Sequence, residues 1–164
     1  MTINHYIIDS CSLINLNKHT PMDIFPSVWK NINYLIHKNY LHSPFEVYNE
    51  LTKKDDMIGN WAKNNYKIFI HESEEQILMA KEIIKKFPAL LDLTKSFCAD
   101  PWIIALAYNE SYRNTQKTIL EEKVIVVTEE HSRGNKVNIP FVCKIYNIEC
   151  IDLNEMHRCE GWQY

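Results

Sequence analysis

Glycine is scarce in this chain of 164 residues, which contains only 3, and proline is ordinary at 6. The sequence shows no fixed-period repeat and no low-complexity segment, which excludes a repeat architecture and argues against disorder. Hydrophobic residues make up 46% of the chain, enough for a substantial core. The length is typical of one domain, so we expect a single domain over residues 1–164.

Long apolar runs are missing too. No stretch approaches the ~20 apolar residues that a membrane-spanning helix needs. The N-terminal residues lack the basic and apolar regions of a signal peptide. We therefore expect a soluble, cytoplasmic protein that has no membrane partner.

Zinc-binding motifs are missing as well. The 5 cysteines form no CxxC pair, and the 7 histidines are scattered without an HExxH motif. The odd cysteine count favours reduced thiols over a disulfide framework. A zinc enzyme is not expected.

The chain lacks the positive charge of a simple nucleic-acid binder, since its formal net charge is −3. If four acids belonged to a metal site, the remaining chain would be close to neutral. Its lysines could then line a groove, or they could simply be solvated on helix faces. The lysines in question are Lys53, Lys54, Lys63, Lys85, Lys86, Lys95 and Lys117.

Short apolar stretches alternate with amphipathic segments along the chain. The pattern predicts strands at 5–8, 40–42, 123–128 and 149–151, with 67–71 as a strand or an extended link. It predicts helices at 10–17, 23–39, 44–51, 53–65, 74–86, 102–112 and 139–146, with a short one after 152 and an irregular or helical stretch at 87–97. Strands separated by helices favour an α/β fold with a parallel sheet and right-handed crossovers.

Two predicted helices open with capping-box patterns. Ser43 and Glu46 flank Pro44, and Asp152 precedes Glu155 by three residues. The first pattern gives Glu46 a backbone partner, which leaves Glu50 as the acid of that helix available for a site.

Acidic residues follow two of the predicted strands. Asp9 comes directly after the first strand, and Glu129 and Glu130 follow the strand at 123–128. Sites in open α/β sheets form beyond the carboxyl ends of the strands. If Glu50 and Asp100 also converge there, the resulting oxygen-rich pocket suits Mg²⁺ or Mn²⁺.

Each acid also has a purely structural interpretation. Asp9 could cap the helix that follows it, and Glu50 could be a solvated charge on a helix. Asp100 precedes Pro101, as an ordinary N-cap residue does. Glu129 and Glu130 could be plain loop charges.

Four segments resemble the signature blocks of the PIN domain family, in the family's order. They are YIIDSCSLI (Tyr6–Ile14), VYNEL (Val47–Leu51), ADPWIIALA (Ala99–Ala107) and VIVVTEE (Val124–Glu130). The resemblance spans nearly the whole chain. It is closest to a branch of bacterial and archaeal proteins that resemble the toxins of toxin–antitoxin pairs.

This resemblance implies a three-layer α/β/α sandwich and a metal-dependent endoribonuclease. The family's acids fall on Asp9, Glu50, Asp100 and Glu130, which would act as catalytic residues and as ligands of Mg²⁺ or Mn²⁺. Glu130 stands where the family usually has Asp, and Glu129 is the alternative ligand. Ser10 and Thr128 would support the carboxylates.

The implied reaction is in-line attack of water on an RNA phosphodiester, which leaves a 5′-phosphate and a 3′-hydroxyl. His131, Arg133 and Lys136 could meet the substrate. Four aromatic residues could stack bases, namely Trp61, Trp102, Tyr108 and Tyr112. For Trp102 and Tyr108 the alternative is a place in the core. The helices at 23–39 and 74–86 could bind an antitoxin or a second copy of the chain, or could spend their apolar faces on the core.

Two other functions are compatible with parts of the sequence. A haloacid-dehalogenase-like phosphatase also has Asp after its first strand, but needs a second Asp where this chain has Cys11. A catalytically inactive PIN-like module would bind RNA or protein without needing metal.

Overall fold

The computed structural model describes residues 2–95, 98–115 and 121–164. It contains the strands β1 (Ile3–Ile8), β2 (Leu41–Pro44), β3 (Phe69–Ile70), β4 (Glu122–Val127) and β5 (Glu149–Ile151). The α-helices in these residues are α1 (Ser10–His19), α2 (Pro26–His37), α3 (Phe45–Leu51), α4 (Met57–Asn64), α5 (Glu74–Lys86), α6 (Asp100–Thr115), α7 (Ile139–Ile145) and α8 (Leu153–Cys159).

The five strands form one sheet in the order β3-β2-β1-β4-β5, and every pair is parallel. The predicted α/β fold with a parallel sheet is confirmed. β1 and β4 pair from Ile3 opposite Glu122 to Ile8 opposite Val127. The chain first adds strands on one side of β1 and then on the other, so β1 and β4 flank the topological switch point.

Helices fall into two groups, as right-handed crossovers require. In the first group α1 contacts both α3 and α4, whereas in the second α6 contacts both α5 and α7. The arrangement is consistent with the expected three-layer sandwich. The apolar faces of α2 and α5 are spent on the protein's own core, since Ile32 and Ile83 are fully buried. Among the large apolar side chains exposed on these two helices are Tyr34 and Leu78.

The two central strands are buried on both faces. Tyr6, Ile7 and Ile8 of β1 and Ile125 and Val126 of β4 are at most 1% exposed. Continuous apolar sequence is what a strand covered on both faces needs. Packing on both faces therefore fixes the carboxyl ends of these two strands, which Asp9 and Thr128 directly follow.

Several boundaries differ from the sequence-based expectation. α2 begins at Pro26 rather than residue 23 and ends at His37, because Asn39 has a positive φ of 61°. α4 begins at Met57 rather than 53, where Asp56 caps it. The segment at 67–71 divides into a 3-10 turn (Tyr66–Ile68) and β3. α5 and β5 match their predicted bounds.

The first predicted capping box is wrong. Ser43 belongs to β2, and its hydroxyl donates to the carbonyl of Ile8 on the neighbouring strand at 2.6 Å. Pro44 occupies the N-cap position of α3 and makes no side-chain cap. At the second predicted box, Asp152 does cap α8 by accepting from the backbone N–H of Glu155 at 2.8 Å.

Two expectations fall on residues outside the described ranges, namely Lys117 and the end of the 87–97 stretch at Ser96 and Phe97. Among the described residues, no helix combines the length and the apolar character needed to cross a membrane.

Candidate active site

Asp9 lies at the carboxyl end of β1 and is 4% exposed. It caps α1, since its Oδ1 accepts from the backbone N–H of Ser12 at 2.7 Å, and its Oδ2 accepts from the Thr128 hydroxyl at 2.5 Å. Burial raises the pKa of Asp9 to about 6, although these hydrogen bonds lower it, and the charge on Glu130 raises it further. The capping role is thus present, and it holds the carboxylate at the switch point.

Glu50 extends from α3 to the same place. Its Oε2 accepts a short hydrogen bond from the Ser10 hydroxyl, and its Oε1 accepts from the backbone N–H of Ala99 at 3.3 Å. One carboxylate therefore connects α3 to the first residue of α1 and to the residue before α6. Ser10 holds this acid, as Thr128 holds Asp9.

Asp100 is the first residue of α6, not its N-cap as predicted. The carbonyl of Ala99 accepts from the backbone N–H groups of both Trp102 and Ile103, so Ala99 occupies the capping position. Burial raises the pKa of Asp100 to about 7, followed in effect by the charges on Glu130, Asp9 and Glu50, with Lys95 opposing them. Three acids from three other parts of the chain therefore lie close enough to act on Asp100.

The adjacent acids Glu129 and Glu130 face different neighbours. Glu130 accepts from the backbone N–H of Ile139 at 3.0 Å, at the start of α7, and its charge acts on Asp9 and Asp100. Glu129 accepts from the backbone N–H of Leu153 at 3.0 Å, at the start of α8. The structure brings Glu130 close to Asp9 and Asp100 and turns Glu129 towards α8.

We call Asp9, Glu50, Asp100 and Glu130 the carboxylate cluster. The oxygen donors of the cluster suit a hard divalent cation. Burial and then the charges on the other acids raise the pKa of Asp100. Yet the described residues include no set of three or more His, Cys, Asp or Glu side chains arranged to hold a metal ion. The donor chemistry fits Mg²⁺ or Mn²⁺, and side chains that now face N–H and O–H groups would have to turn towards the ion.

Among the described residues, Lys95 is a cation whose charge acts on Asp100. Desolvation lowers the pKa of Lys95, but the charges on Asp100, Asp92 and Glu50 raise it, and the net shift is upward. Its ammonium lies 3.7 Å from an Asp92 carboxylate oxygen and remains largely exposed. One exposed lysine balances only part of a group of four acids.

Glu46 is an acid that the sequence analysis had set aside as a capping residue. It is half-buried, and its Oε2 has no hydrogen-bond partner. Burial raises its pKa to about 7, and the charges on Glu72 and Glu50 add to this effect. The acidic region therefore continues from Glu50 towards the end of β3.

Cys11 stands two residues after Asp9. Burial raises the pKa of its thiol, and the charges on Asp9 and Glu130 raise it further. A thiol in this environment stays protonated at neutral pH and is a poor nucleophile. The site therefore offers carboxylate chemistry rather than cysteine chemistry.

Two small clefts open beside the cluster. One, of about 330 Å³, is lined by Asp100 and Glu130 together with Lys95 and Lys136. The other, of about 180 Å³, is lined by Glu130, Lys136 and Arg133 and also by His131. Larger concavities of about 660 and 810 Å³ lie along β4 and β5 and between α2 and α4, and none of the four acids lines them.

The aromatic residues proposed from the sequence do not gather at this site. Trp61 is 7% exposed and packs edge-on against Trp29, and Trp102 packs against the core. Tyr108 and Tyr112 lie two and three turns along α6 from Asp100 and line a separate cleft. Two of the predicted stackers are thus packed into the protein.

Other aromatic residues occupy the sheet edge beside the cluster. Phe45 follows β2 directly and His71 follows β3 directly, and both contact Tyr66. The sequence contained no signal for them, because the predicted strand at 40–42 ended before Phe45 and the predicted stretch at 67–71 included His71. Only the observed ends of β2 and β3 place each residue directly after a strand.

Comparison with known proteins gives two relatives, both named chloramphenicol acetyltransferase and both from Staphylococcus aureus. One is 23% identical over 162 residues, covering 92% of this chain and 72% of the relative. The other is 22% identical over 162 residues, covering 87% of this chain and 74% of the relative. No solved structure matches the chain significantly.

One family model matches nearly the whole chain, over residues 6–164. The matched range includes all four acids of the carboxylate cluster and both hydroxyl residues that hold them. The chain belongs to the family described as "Domain of unknown function (DUF4411)".

Proposed function

We propose that this protein is a PIN-like, Mg²⁺- or Mn²⁺-dependent endoribonuclease whose catalytic residues are Asp9, Glu50, Asp100 and Glu130. The observation that carries the proposal is the convergence of these acids at the switch point of a parallel sheet. Burial and the charges on the other three raise the pKa of Asp100 to about 7. Clustered charges of this kind destabilise a protein and persist where function needs them.

The chain's own residues divide the work between holding and orienting. Asp9 and Glu130, which follow β1 and β4, and Asp100, which opens α6, would supply the oxygens around the site. The Ser10 hydroxyl fixes one oxygen of Glu50 and leaves a lone pair for orienting a water. A bound divalent ion would lower the pKa of that water and neutralise charge on the phosphate.

The clefts beside the cluster suit an anionic polymer. Lys95 and Lys136 line the same cleft as Asp100 and Glu130, and Arg133 lines its neighbour. Cations next to a metal-binding acid group can hold the phosphates that flank a scissile bond. A phosphodiester substrate therefore fits both the acids and their rim.

A role as the toxin of a toxin–antitoxin pair is part of the proposal and follows from the resemblance to that branch of PIN-like proteins. Expression of a toxin of this kind arrests growth, and mutation of its catalytic acids relieves the arrest. Growth after induction of the wild-type chain, compared with its Asp100→Asn variant, tests this role. Equal growth of the two strains would contradict it.

The name of the two relatives suggests acetyl transfer as an activity to exclude. Acyl transfer to a hydroxyl usually employs a histidine base. Among the described residues, no hydrogen bond found at the four acids involves a histidine, and His131 only lines the cleft beside Glu130. An assay with chloramphenicol and acetyl-CoA provides the control.

The experiment that tests the proposal is cleavage of a panel of labelled RNAs with Mg²⁺, Mn²⁺ or EDTA. The Asp9→Asn and Asp100→Asn variants are purified identically, and Asp23→Asn, which changes an exposed acid before α2, is the matched control. We expect metal-dependent cutting by the wild type and Asp23→Asn, and a loss of at least about 100-fold in both site variants.

Equal cutting by wild type and Asp100→Asn would mean that a contaminant or another site is responsible. Binding of RNA that persists in EDTA without any cleavage would favour the inactive binding module. Isothermal titration with Mn²⁺ gives a separate readout, since Asp100→Asn should weaken binding whatever RNA is used.

A further inference from the structure

Four aromatic side chains form a continuous group, which we call the aromatic ledge: Phe45, Tyr48, Tyr66 and His71. Phe45 stacks on His71 with ring centroids 4.1 Å apart and planes at 24°, and on Tyr48 at 5.3 Å and 19°. Tyr66 meets Phe45 and Tyr48 edge-on at 6.0 and 5.1 Å. These are the offset-stacked and edge-to-face geometries that aromatic rings prefer.

The exposed rings of the ledge are held in place before any ligand arrives. The Tyr66 hydroxyl and Nε2 of His71 lie 2.7 Å apart, and Phe45 supports the imidazole from one face. Tyr66 is 45% exposed, and His71 is also exposed. A preorganised ring with an open surface can stack a planar ligand at little cost in conformational entropy.

The ledge lies on the same edge of the sheet as the carboxylate cluster. Phe45 follows β2 and His71 follows β3, while Asp9 follows β1, and parallel neighbours are ~4.8 Å apart. α3 begins at Phe45 and carries Glu50 five residues later, a rise of about 7.5 Å. A ligand that spans the two groups therefore needs only a short reach.

Charge decides which part of a nucleotide can occupy the ledge. Glu46 lies on the first turn of α3, and the charges on Glu72 and Glu50 act on it. Glu72 is exposed directly beside His71. Phosphate is disfavoured next to Glu46 and Glu72, which are not among the acids proposed to bind a divalent ion. The neutral, planar nucleobase meets no such repulsion and stacks on any aromatic face.

We propose that the aromatic ledge is a base-stacking site, which holds an unpaired nucleobase beside the phosphate at the carboxylate cluster. The inference rests on the proposed function for the position of the phosphate. It goes further by naming the residues that would bind the base of the substrate. A base within a duplex is stacked on its neighbours and is not available to the ledge.

The test measures binding rather than cleavage. The Asp100→Asn protein is titrated in Mg²⁺ with a fluorescent single-stranded RNA and with its duplex. His71→Ala, His71→Trp and His19→Ala are each added to this background. His19 is an exposed histidine at the far end of α1, and so matches the change in composition away from the ledge.

We expect His71→Ala to weaken single-stranded binding about tenfold, as loss of one stacked base does. His71→Trp should restore it, His19→Ala should leave it unchanged, and duplex binding should be weaker and insensitive to all three. A single abasic nucleotide is then moved along the RNA strand. In the Asp100→Asn protein that retains His71 it should weaken binding at one position, and in the Asp100→Asn protein with His71→Ala it should have no effect at that position. Such non-additivity identifies direct contact, which a merely structural role would not produce.

Equal single-stranded binding by the His71 and His71→Ala proteins overturns the inference, as does undetectable binding by the His71 protein. This outcome is separable from the fate of the nuclease proposal. Metal-dependent cleavage without any effect of His71 would remove the ledge and keep the nuclease. Base-dependent binding in a protein that cuts no RNA would keep the ledge and remove the nuclease.

Discussion

The carboxyl edge of the sheet divides into two halves that carry different chemistry. After β1 and β4 the chain places Asp9, Thr128 and Glu130, which are acids and the hydroxyl that holds one of them. After β2 and β3 it places Phe45 and His71, which stack on each other. We call these the acidic half and the aromatic half.

The difference teaches how one structural rule serves two purposes. Every parallel strand delivers its next residue to the same edge, whatever that residue is. The acidic half concentrates charge at the switch point, where the pKa of Asp100 rises through burial and neighbouring acids. The aromatic half presents aromatic rings instead. Glu46 and Glu50 of α3 lie between the two halves, and the charge on Glu50 acts on Glu46.

We expect the largest difference in RNA cleavage between variants of two adjacent acids, Glu130, which belongs to the acidic half, and Glu129, which does not. Glu130→Gln keeps an oxygen for the N–H of Ile139 but removes the charge, so we expect RNA cleavage to fall about 100-fold or more. Glu129→Gln keeps its bond to Leu153 and should leave cleavage within about twofold of wild type. Steady-state cleavage of one RNA by both variants measures this, and a reversed order would place Glu129 in the site instead.

The next effect concerns pH, which should act on the acidic half. The pKa of Asp100 is raised by burial and like charges from 3.8 to about 7, and burial raises that of Asp9 to about 6. The folded state thus binds these protons more tightly than the unfolded state. The stabilisation is complete below pH 4 and is lost as pH rises through 6 and 7, by about 1.4 kcal/mol per pH unit for one group.

Urea unfolding of the metal-free protein between pH 4 and pH 8 measures this loss. Asp100→Asn should flatten the decline, because its amide does not ionise. Mn²⁺ should stabilise the wild type more at pH 8 than at pH 5, since the ion binds the ionised carboxylates. A metal-free protein that gains stability steadily up to pH 7 would show that the acids are better compensated than we infer.

The smallest expected effect distinguishes two buried hydroxyl groups, that of Thr128 in the acidic half and that of Ser43 in β2 in the aromatic half. Thr128→Val removes the donor to Asp9 while keeping the side-chain shape, so the pKa of Asp9 should rise and cleavage should fall about tenfold. Ser43→Ala removes the donor to the carbonyl of Ile8, which should cost about 1 kcal/mol of stability and leave cleavage nearly unchanged. Cleavage and urea unfolding of both variants give the four values, and equal cleavage by the two would deny Thr128 its positioning role.

Much of the architecture was predictable from local sequence. The apolar run before Asp9 and the β-branched run before Thr128 predicted the two central strands, because strands buried on both faces require continuous apolar sequence. The helical periodicity of residues 74–86 predicted α5 with its observed bounds. The capping aspartate Asp152 likewise predicted the start of α8. The start of α4 was placed four residues too early, although Asp56 caps it.

The positions of the acids along the chain were predictable, but their contacts were not. The sequence alone determined that acids follow β1 and β4 and that another acid opens α6, since these positions depend on neighbours along the chain. Only the tertiary structure showed that Glu130 accepts from the start of α7 and Glu129 from the start of α8, because these contacts join distant parts of the chain. It also decided that Ser43 bonds to β1 rather than capping α3, and that Phe45 and His71 meet, since each contact joins elements that only the folded sheet brings together.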